Sequence, residues 1–211
     1  MTTLIIGKRS NLSKELNSKI TNSKVIFSDE FLKLKLKSNS NLIINAFFPS
    51  FEISNLNNYN KFIHLSLFNL TKALDQIDKK KIKKIIYTSS SSIYGLDKDY
   101  NLEDKRNRNL YAKSKLLAET TIINFCKKNK IKYIIARLFN VYGDNDKFSI
   151  ITKLIECYKK KKIFHLNNFG STIRDFISYK QVALVYEKML KTKNEGIFDV
   201  GCSEGYQVID L

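Results

Sequence analysis

Tryptophan is absent, proline occurs once, and there are only three cysteines and two histidines in 211 residues. Cys126, Cys157 and Cys202 are odd in number and widely spaced, so they form neither a CxxC pair nor a disulfide framework. His64 and His165 are too few and too scattered to complete a zinc site with them. A reduced, cytoplasmic protein without a bound metal is the expectation. No apolar run approaches the ~20 residues that span a bilayer, so no transmembrane segment is expected. The amino terminus reads MTTLIIG and enters a strand directly, with no charged region ahead of a long apolar stretch, so no secretory signal is expected.

Arginine is also scarce, with five residues, although the formal net charge is +17. Nearly all the excess is lysine. Lysine, asparagine and isoleucine share AT-rich codons, and base composition alone can produce this bias. A nucleic-acid site would more often use arginine forks to hold phosphate, and no recognition motif is present, so nucleic acid is not an expected partner. The lysine runs at 79–84, 127–132 and 159–162 each fall between a predicted helix and a predicted strand. There they complement the helix dipole and read as a solvated basic face.

The length suits one domain, or one with a small appendage. Short apolar runs at 3–6, 25–27, 42–46, 85–90, 133–138 and 197–200 read as strands, with 163–166 extended. Helical spacing occupies 11–20, 56–77, 110–126, 150–158 and 182–190. Such alternation predicts an α/β fold, a doubly wound parallel sheet covered by helices on both faces. The stretch 28–41 is short for a full crossover, so an element there is expected to be reduced. Ligands of such sheets bind outside the carboxyl ends of the strands.

Three places carry candidate chemistry. Gly7, Ser10 and Ser13 follow the first strand at the spacing of a G-x-x-G-x-x-G turn, where a pyrophosphate could meet backbone N–H groups at a helix end. Serine stands in two of the three glycine places, and its Cβ hinders close approach and disfavours positive φ. Asp29, after the second strand, suits adenosine ribose hydroxyls and so NAD, whereas Lys8 and Arg9 suit the 2′-phosphate of NADP. Further on, T-S-S-S-S-I-Y-G at 88–95 runs off a strand end, and Y-A-K-S-K at 111–115 opens a helix. Tyr111 and Lys115 lie four apart on one helical face, so the ammonium is expected to lower the tyrosine pKa toward acid–base work.

With these segments in this order, the sequence resembles the extended short-chain dehydrogenases/reductases, the NAD(P)-dependent epimerase/dehydratase family. The likeness continues through R-L-F-N-V-Y-G at 137–143, R-D-F-I at 174–177, F-D-V-G at 198–201, and Asn45-Ala46 in place of the family's H/N-A-A turn. The resemblance implies a Rossmann-like NAD(P)-binding core over 1–145 and a partial substrate-binding region over 146–211, interleaved with the last strands of the core. It implies Tyr111 as acid/base, Lys115 as its partner on the nicotinamide ribose, and Ser90 as the group orienting the substrate oxygen. Gly7, Ser10, Leu12, Ser13, Asp29 and Ala46 would lie along the cofactor, NAD or NADP. Ser91, Asn140 and Arg174 would face a nucleotide sugar, with Arg174 near its diphosphate.

The implied activity is epimerisation or keto reduction by reversible hydride transfer, in a possible homodimer. Several departures stand out. Phe47 and Phe48 are bulky where the family has small residues. Ser91 and Ser92 replace the acidic pair of the family's dehydratases, which makes water elimination the less expected reaction. Residues 178–181 read S-Y-K-Q where His-Val-x-Asp is usual. The chain ends at Leu211, where family members continue. A degenerate, non-catalytic member that binds a nucleotide or protein partner is the other reading.

Overall fold

The computed structural model describes residues 2–36, 38–45, 63–95, 102–144 and 146–211. Six strands, β1 (Thr2–Ile6), β2 (Ser23–Ile26), β3 (Ser40–Ile44), β4 (Ile82–Ser90), β5 (Lys132–Leu138) and β9 (Gly196–Val200), form one parallel sheet in the order β2-β1-β3-β4-β5-β9. The chain passes outward from β1 to β2 and then returns to the other side of β1 for β3. That reversal leaves a crevice beyond the carboxyl ends of β1 and β3, where doubly wound sheets take ligands.

Alternation along the strands divides the core in two. Leu4, Ile6, Leu42, Ile44, Ile85 and Tyr87 face one side. They pack there on α2 (Ser28–Leu32) through Phe31, on α3 (Asn69–Gln76) through Leu70 and Leu74, and on α4 (Leu102–Asn129) through Ala118, Ile122 and Cys126. Ile5, Ile43, Ile86 and Ile134 face the other. There they meet Leu12 and Leu16 of α1 (Asn11–Lys19) and Val182, Tyr186 and Met189 of α6 (Tyr179–Lys191). Successive side chains of a strand point to opposite faces, so one run of isoleucine fills both layers. The reduced element between β2 and β3 is α2, a helix of five residues.

After β5 the chain forms β6 (Asn140–Tyr142), α5 (Ile150–Lys159), β7 (Ile173–Arg174) and β8 (Phe176–Ser178), and it ends with β10 (Tyr206–Gln207) after β9. β6 pairs with β8 in parallel and β7 with β10 antiparallel. Residues 163–166, expected to be extended, join no strand ladder, and Ile163 is exposed. No described helix is long and apolar enough to cross a membrane.

The lysine runs are not uniformly solvated. Lys84 is buried in β4, and its Nζ donates to the carbonyls of Met189 (2.7 Å) and Thr192 (2.6 Å) at the end of α6. The last carbonyls of a helix have no intrahelical donor, so this lysine caps α6 from beneath the sheet. Lys81 likewise donates to the Leu36 carbonyl. Replacing Lys84 with methionine keeps most of the volume and removes the donors. We expect a loss of about 1–3 kcal/mol in a urea titration, the cost of leaving buried carbonyls unpaired. An unchanged midpoint would show that water replaces the lysine.

Candidate active site

β4 is apolar through Ile85, Ile86 and Tyr87 and turns polar at Thr88, Ser89 and Ser90; the first two are still buried, and the strand leaves the layers that cover both faces at Ser90. A 3-10 turn, Ser91–Gly95, follows. Opposite it, α4 presents Tyr111 and Lys115 one turn apart. The Ser90 side chain lies on the Tyr111 hydroxyl side and favours its phenolate. The Ser90 Oγ also accepts from Ser92 N–H at 3.2 Å, which holds the turn against the strand. Lys115 Nζ donates to the Thr88 carbonyl (2.8 Å) and lies 5.0 Å from the Tyr87 ring centroid and 5.8 Å from that of Tyr111. Ser90, Tyr111 and Lys115 thus converge at the carboxyl edge of the central strand.

The electrostatics differ from the expectation of a depressed tyrosine. Burial raises the Tyr111 pKa above its ordinary value, and the Ser90 side chain offsets this only in part. Burial also pushes Lys115 down to about 8, with the Glu119 carboxylate working in the opposite direction. For both groups, removal from water is the largest cause and outweighs the opposing contribution of the neighbour. The Lys115 ammonium is also committed to a backbone carbonyl on the flank of the tyrosine ring.

Sequence reasoning did not single out Glu119. It sits one helical turn beyond Lys115, is 1% exposed, and accepts two hydrogen bonds from Arg137, Nε to Oε1 (3.0 Å) and Nη2 to Oε2 (2.8 Å). The guanidinium carbon lies 4.9 Å from the Tyr94 ring centroid, and the Tyr94 hydroxyl donates to Asp199 Oδ1 at 2.8 Å. One bidentate pair therefore ties α4, β5, the serine turn and β9 together. The available signal was the four-residue spacing from Lys115, which places Glu119 on the same helical face.

At the crevice, Gly7 has φ 119°, in the region that favours glycine. Ser10 has φ −80° and ψ 135°, ordinary extended values, so the conformational objection to serine does not apply at that position. Ser10 occupies the N-cap position of α1 but makes no side-chain capping hydrogen bond. Asn45 Nδ2 instead donates to Ser10 Oγ (3.0 Å) and Ser13 Oγ (2.7 Å). This link was also missed, although an asparagine directly after the apolar run at 42–44 is a visible signal. Leu12 points into the core, so only its backbone can border a ligand.

Asp29 is exposed in the first turn of α2, beside Glu30, whose carboxylate accepts from Phe27 N–H at 3.1 Å. Lys8 Nζ lies 4.7 Å from the Phe27 ring centroid and the Arg9 guanidinium carbon 6.0 Å from it. Acid and cations therefore stand near the same strand end. Ala46, Phe47 and Phe48 lie outside the described residues.

On the far side, the three later motifs interlock. Asn140 N–H and Nδ2 both donate to the Asp175 carbonyl (3.0 and 2.9 Å), and Arg174 Nη1 donates to Asn140 Oδ1 (3.3 Å). The Asp175 carboxylate accepts from Cys202 N–H and Ser203 N–H, each at 2.8 Å. A Cβ at Gly201 would run into that carboxylate, which accounts for the glycine. Asp175 thus serves as an anchor for the turn after β9. Ser91 is half-buried on the serine turn, and Ser92 Oγ is buried with no hydrogen-bond partner among the described residues.

The arrangement can hold an anion at the start of α1, and a hydroxyl-bearing carbon near Tyr111. Proteins of like sequence and like fold are known. The chain is 25% identical over 175 residues to a probable UDP-arabinose 4-epimerase 3 of Arabidopsis thaliana, covering 70% of this chain and 43% of that one. It is 29% identical over 167 residues to the ADP-L-glycero-D-manno-heptose-6-epimerase of Brachyspira hyodysenteriae, covering 72% and 51%. The chain spans about half the length of these curated relatives. Among solved structures, a UDP-N-acetylglucosamine 4-epimerase from Methanobrevibacter ruminantium M1, in complex with UDP-N-acetylmuramic acid, superposes with TM-score 0.77 at 18% identity, covering 98% of this chain and 78% of that one. The UDP-glucose 4-epimerase of Thermus thermophilus, in complex with NAD, gives 0.74 at 16%, covering 100% and 80%. At these identities the superpositions establish the fold. The sequence pattern of one family matches residues 5–201, nearly the whole chain, and so the chain belongs to the NAD dependent epimerase/dehydratase family.

Proposed function

We propose that this chain is an NAD-dependent nucleotide-sugar epimerase or ketoreductase, with NADP as the alternative cofactor. The observation that carries the proposal is the meeting of Ser90, Tyr111 and a half-buried Lys115, bonded to the Thr88 carbonyl, at the carboxyl end of β4. The solved relatives bound to NAD and to UDP-sugars support it. The cofactor fits the crevice: Gly7 supplies the positive-φ turn, the Ser10 side chain does not cap α1, and the first amides of a helix have no acceptor inside it.

NAD, when bound, supplies the hydride chemistry. The residues of the chain move the proton and hold the sugar. Tyr111, a neutral phenol whose proton burial helps to retain, donates that proton to a substrate carbonyl oxygen, or in reverse takes a proton from a hydroxyl as phenolate. Ser90 hydrogen-bonds the same oxygen and fixes its distance from Tyr111. Lys115, held by the Thr88 carbonyl, stabilises the phenolate as it forms and reaches the cofactor ribose. Ser91, Asn140 and Arg174 border the nucleotide-sugar side, and Arg174 is the group we assign to the diphosphate. If the keto sugar turns over and accepts hydride on its other face, the product is the epimer; if it leaves, the reaction is a reduction. Ser91 and Ser92 supply no carboxylate for dehydration. A homodimer through α4, where Leu116 and Leu117 are exposed, is the proposed assembly.

Titration with NADH and with NADPH, followed by cofactor fluorescence, tests the reading and separates the Asp29 preference from that of Lys8 and Arg9. Tyr111→Phe should lower kcat by about 100-fold or more, the range of general acid–base catalysis, with NADH affinity within a few-fold of wild type. No turnover by wild type with biological function that survives this change, or no binding of either cofactor by the folded protein, would favour a non-catalytic binding role; turnover undiminished by it would remove Tyr111 as the acid–base group. Lys115 yields a separate prediction. Its ammonium is disfavoured in the folded protein below about pH 8, so Lys115→Met should abolish turnover yet raise the Tm of the cofactor-free protein. That gain should shrink as pH rises from about 8 toward 10.5, where the wild-type lysine is neutral when folded and still charged when unfolded. A lower Tm at pH 7 would contradict it.

A further inference from the structure

The two serines in glycine places and the asparagine that ties them form a unit. Asn45 is 6% exposed, and its backbone N–H donates to the Ile6 carbonyl at 3.1 Å, which pins it beside β1 one residue from Gly7. A carboxamide nitrogen carries two hydrogens in one plane and can serve two acceptors. Here the acceptors are Ser10 Oγ and Ser13 Oγ, the latter fully buried. Ser10 N–H donates to the Gly7 carbonyl at 3.0 Å and Lys14 N–H to the Ser10 carbonyl at 3.2 Å, so the serine backbone is held from both sides.

We propose that Asn45 is a positioning residue for the pyrophosphate turn: its amide holds both serine hydroxyls in the floor between α1 and β3, clearing the approach that glycines would leave open. The inference rests on the cofactor reading above. With Ser10 Oγ accepting from Asn45, its O–H hydrogen is directed outward and donates to the bound anion. The substitution of glycine thereby adds a hydrogen bond where it would otherwise add an obstruction. Asn45 matters only because the serines are there. An Asp at this position presents acceptors alone, turns both hydroxyls inward and sets a negative charge beside the phosphates.

The test measures NADH affinity by fluorescence in wild type, Asn45→Ala, Asn45→Asp, the double variant Ser10→Gly with Ser13→Gly, and that double variant carrying Asn45→Ala, each checked for folding by its thermal melt. Asn45→Ala should weaken binding about tenfold in the serine background, the scale of one or two net hydrogen bonds, and about twofold or less in the glycine background. Asn45→Asp should weaken it more than Asn45→Ala does. Equal losses in both backgrounds, or no loss in either, would overturn the inference while leaving the cofactor reading intact. If folded wild type binds neither NADH nor NADPH, the cofactor reading fails and this one with it. If Asn45→Ala fails to fold, Asn45→Asp in the serine and glycine backgrounds decides: the charge weakens binding in both, a larger loss with the serines supports the unit, and an equal loss overturns it.

Discussion

A parallel sheet covered on both faces tolerates polar groups only where its strands emerge from cover. β4 lies near the middle of the six-stranded sheet, and its residues alternate between two apolar layers until Thr88. Thr88 and Ser89 are polar but still buried, and at Ser90 the strand emerges from the layers. The same constraint acts on β1, which Gly7 follows, and on β3, which Asn45 follows. The polar residues of three strands are thus gathered along one edge. The topology reverses between β1 and β3, so that edge opens into a crevice instead of lying under a helix.

The groups at this edge are disfavoured by their surroundings. Burial raises Tyr111 and lowers Lys115 to about 8, so each charged form is harder to hold here than in water, while Lys115 keeps its ammonium at neutral pH. The buried Glu119–Arg137 pair opposes this for Lys115 and also fixes the serine turn through Tyr94. Such a pair is weak evidence for stability, because desolvating two charges offsets much of their attraction. Its effect here is geometric: α4, which carries the acid–base residues, keeps its distance from the strand that carries Ser90. Active sites commonly hold groups whose pKa values are displaced, and this edge has that property.

Lysine is used in more ways than its abundance suggests. Most of the runs are exposed, as a helix-to-strand junction predicts. Lys84, in the middle of one run, is instead buried and caps α6 through two carbonyls. Nothing in the local pattern distinguishes it from Lys83. The difference arises because Lys84 occupies an inward position of β4 and α6 ends beneath it. A charge run read along the chain averages over positions that the fold separates.

The order of the sheet strands, the parallel sheet and the shared helical face of Tyr111 and Lys115 were legible in the residues, because hydrophobic period and motif spacing are local properties and each strand meets its own burial requirement; that Ser90 would face them was implied by the family resemblance. The shortened crossover before β3 was legible for the same reason. The three-dimensional structure alone decided what pairs with what across the chain: Asn45 with Ser10 and Ser13, Glu119 with Arg137, Asp175 with the amides after β9. It also decided the direction of the tyrosine shift, since desolvation depends on everything packed around a group and attraction only on its neighbour. Sequence spacing shows that Tyr111 and Lys115 share a helical face, but how dry that face becomes is set by residues far from either along the chain.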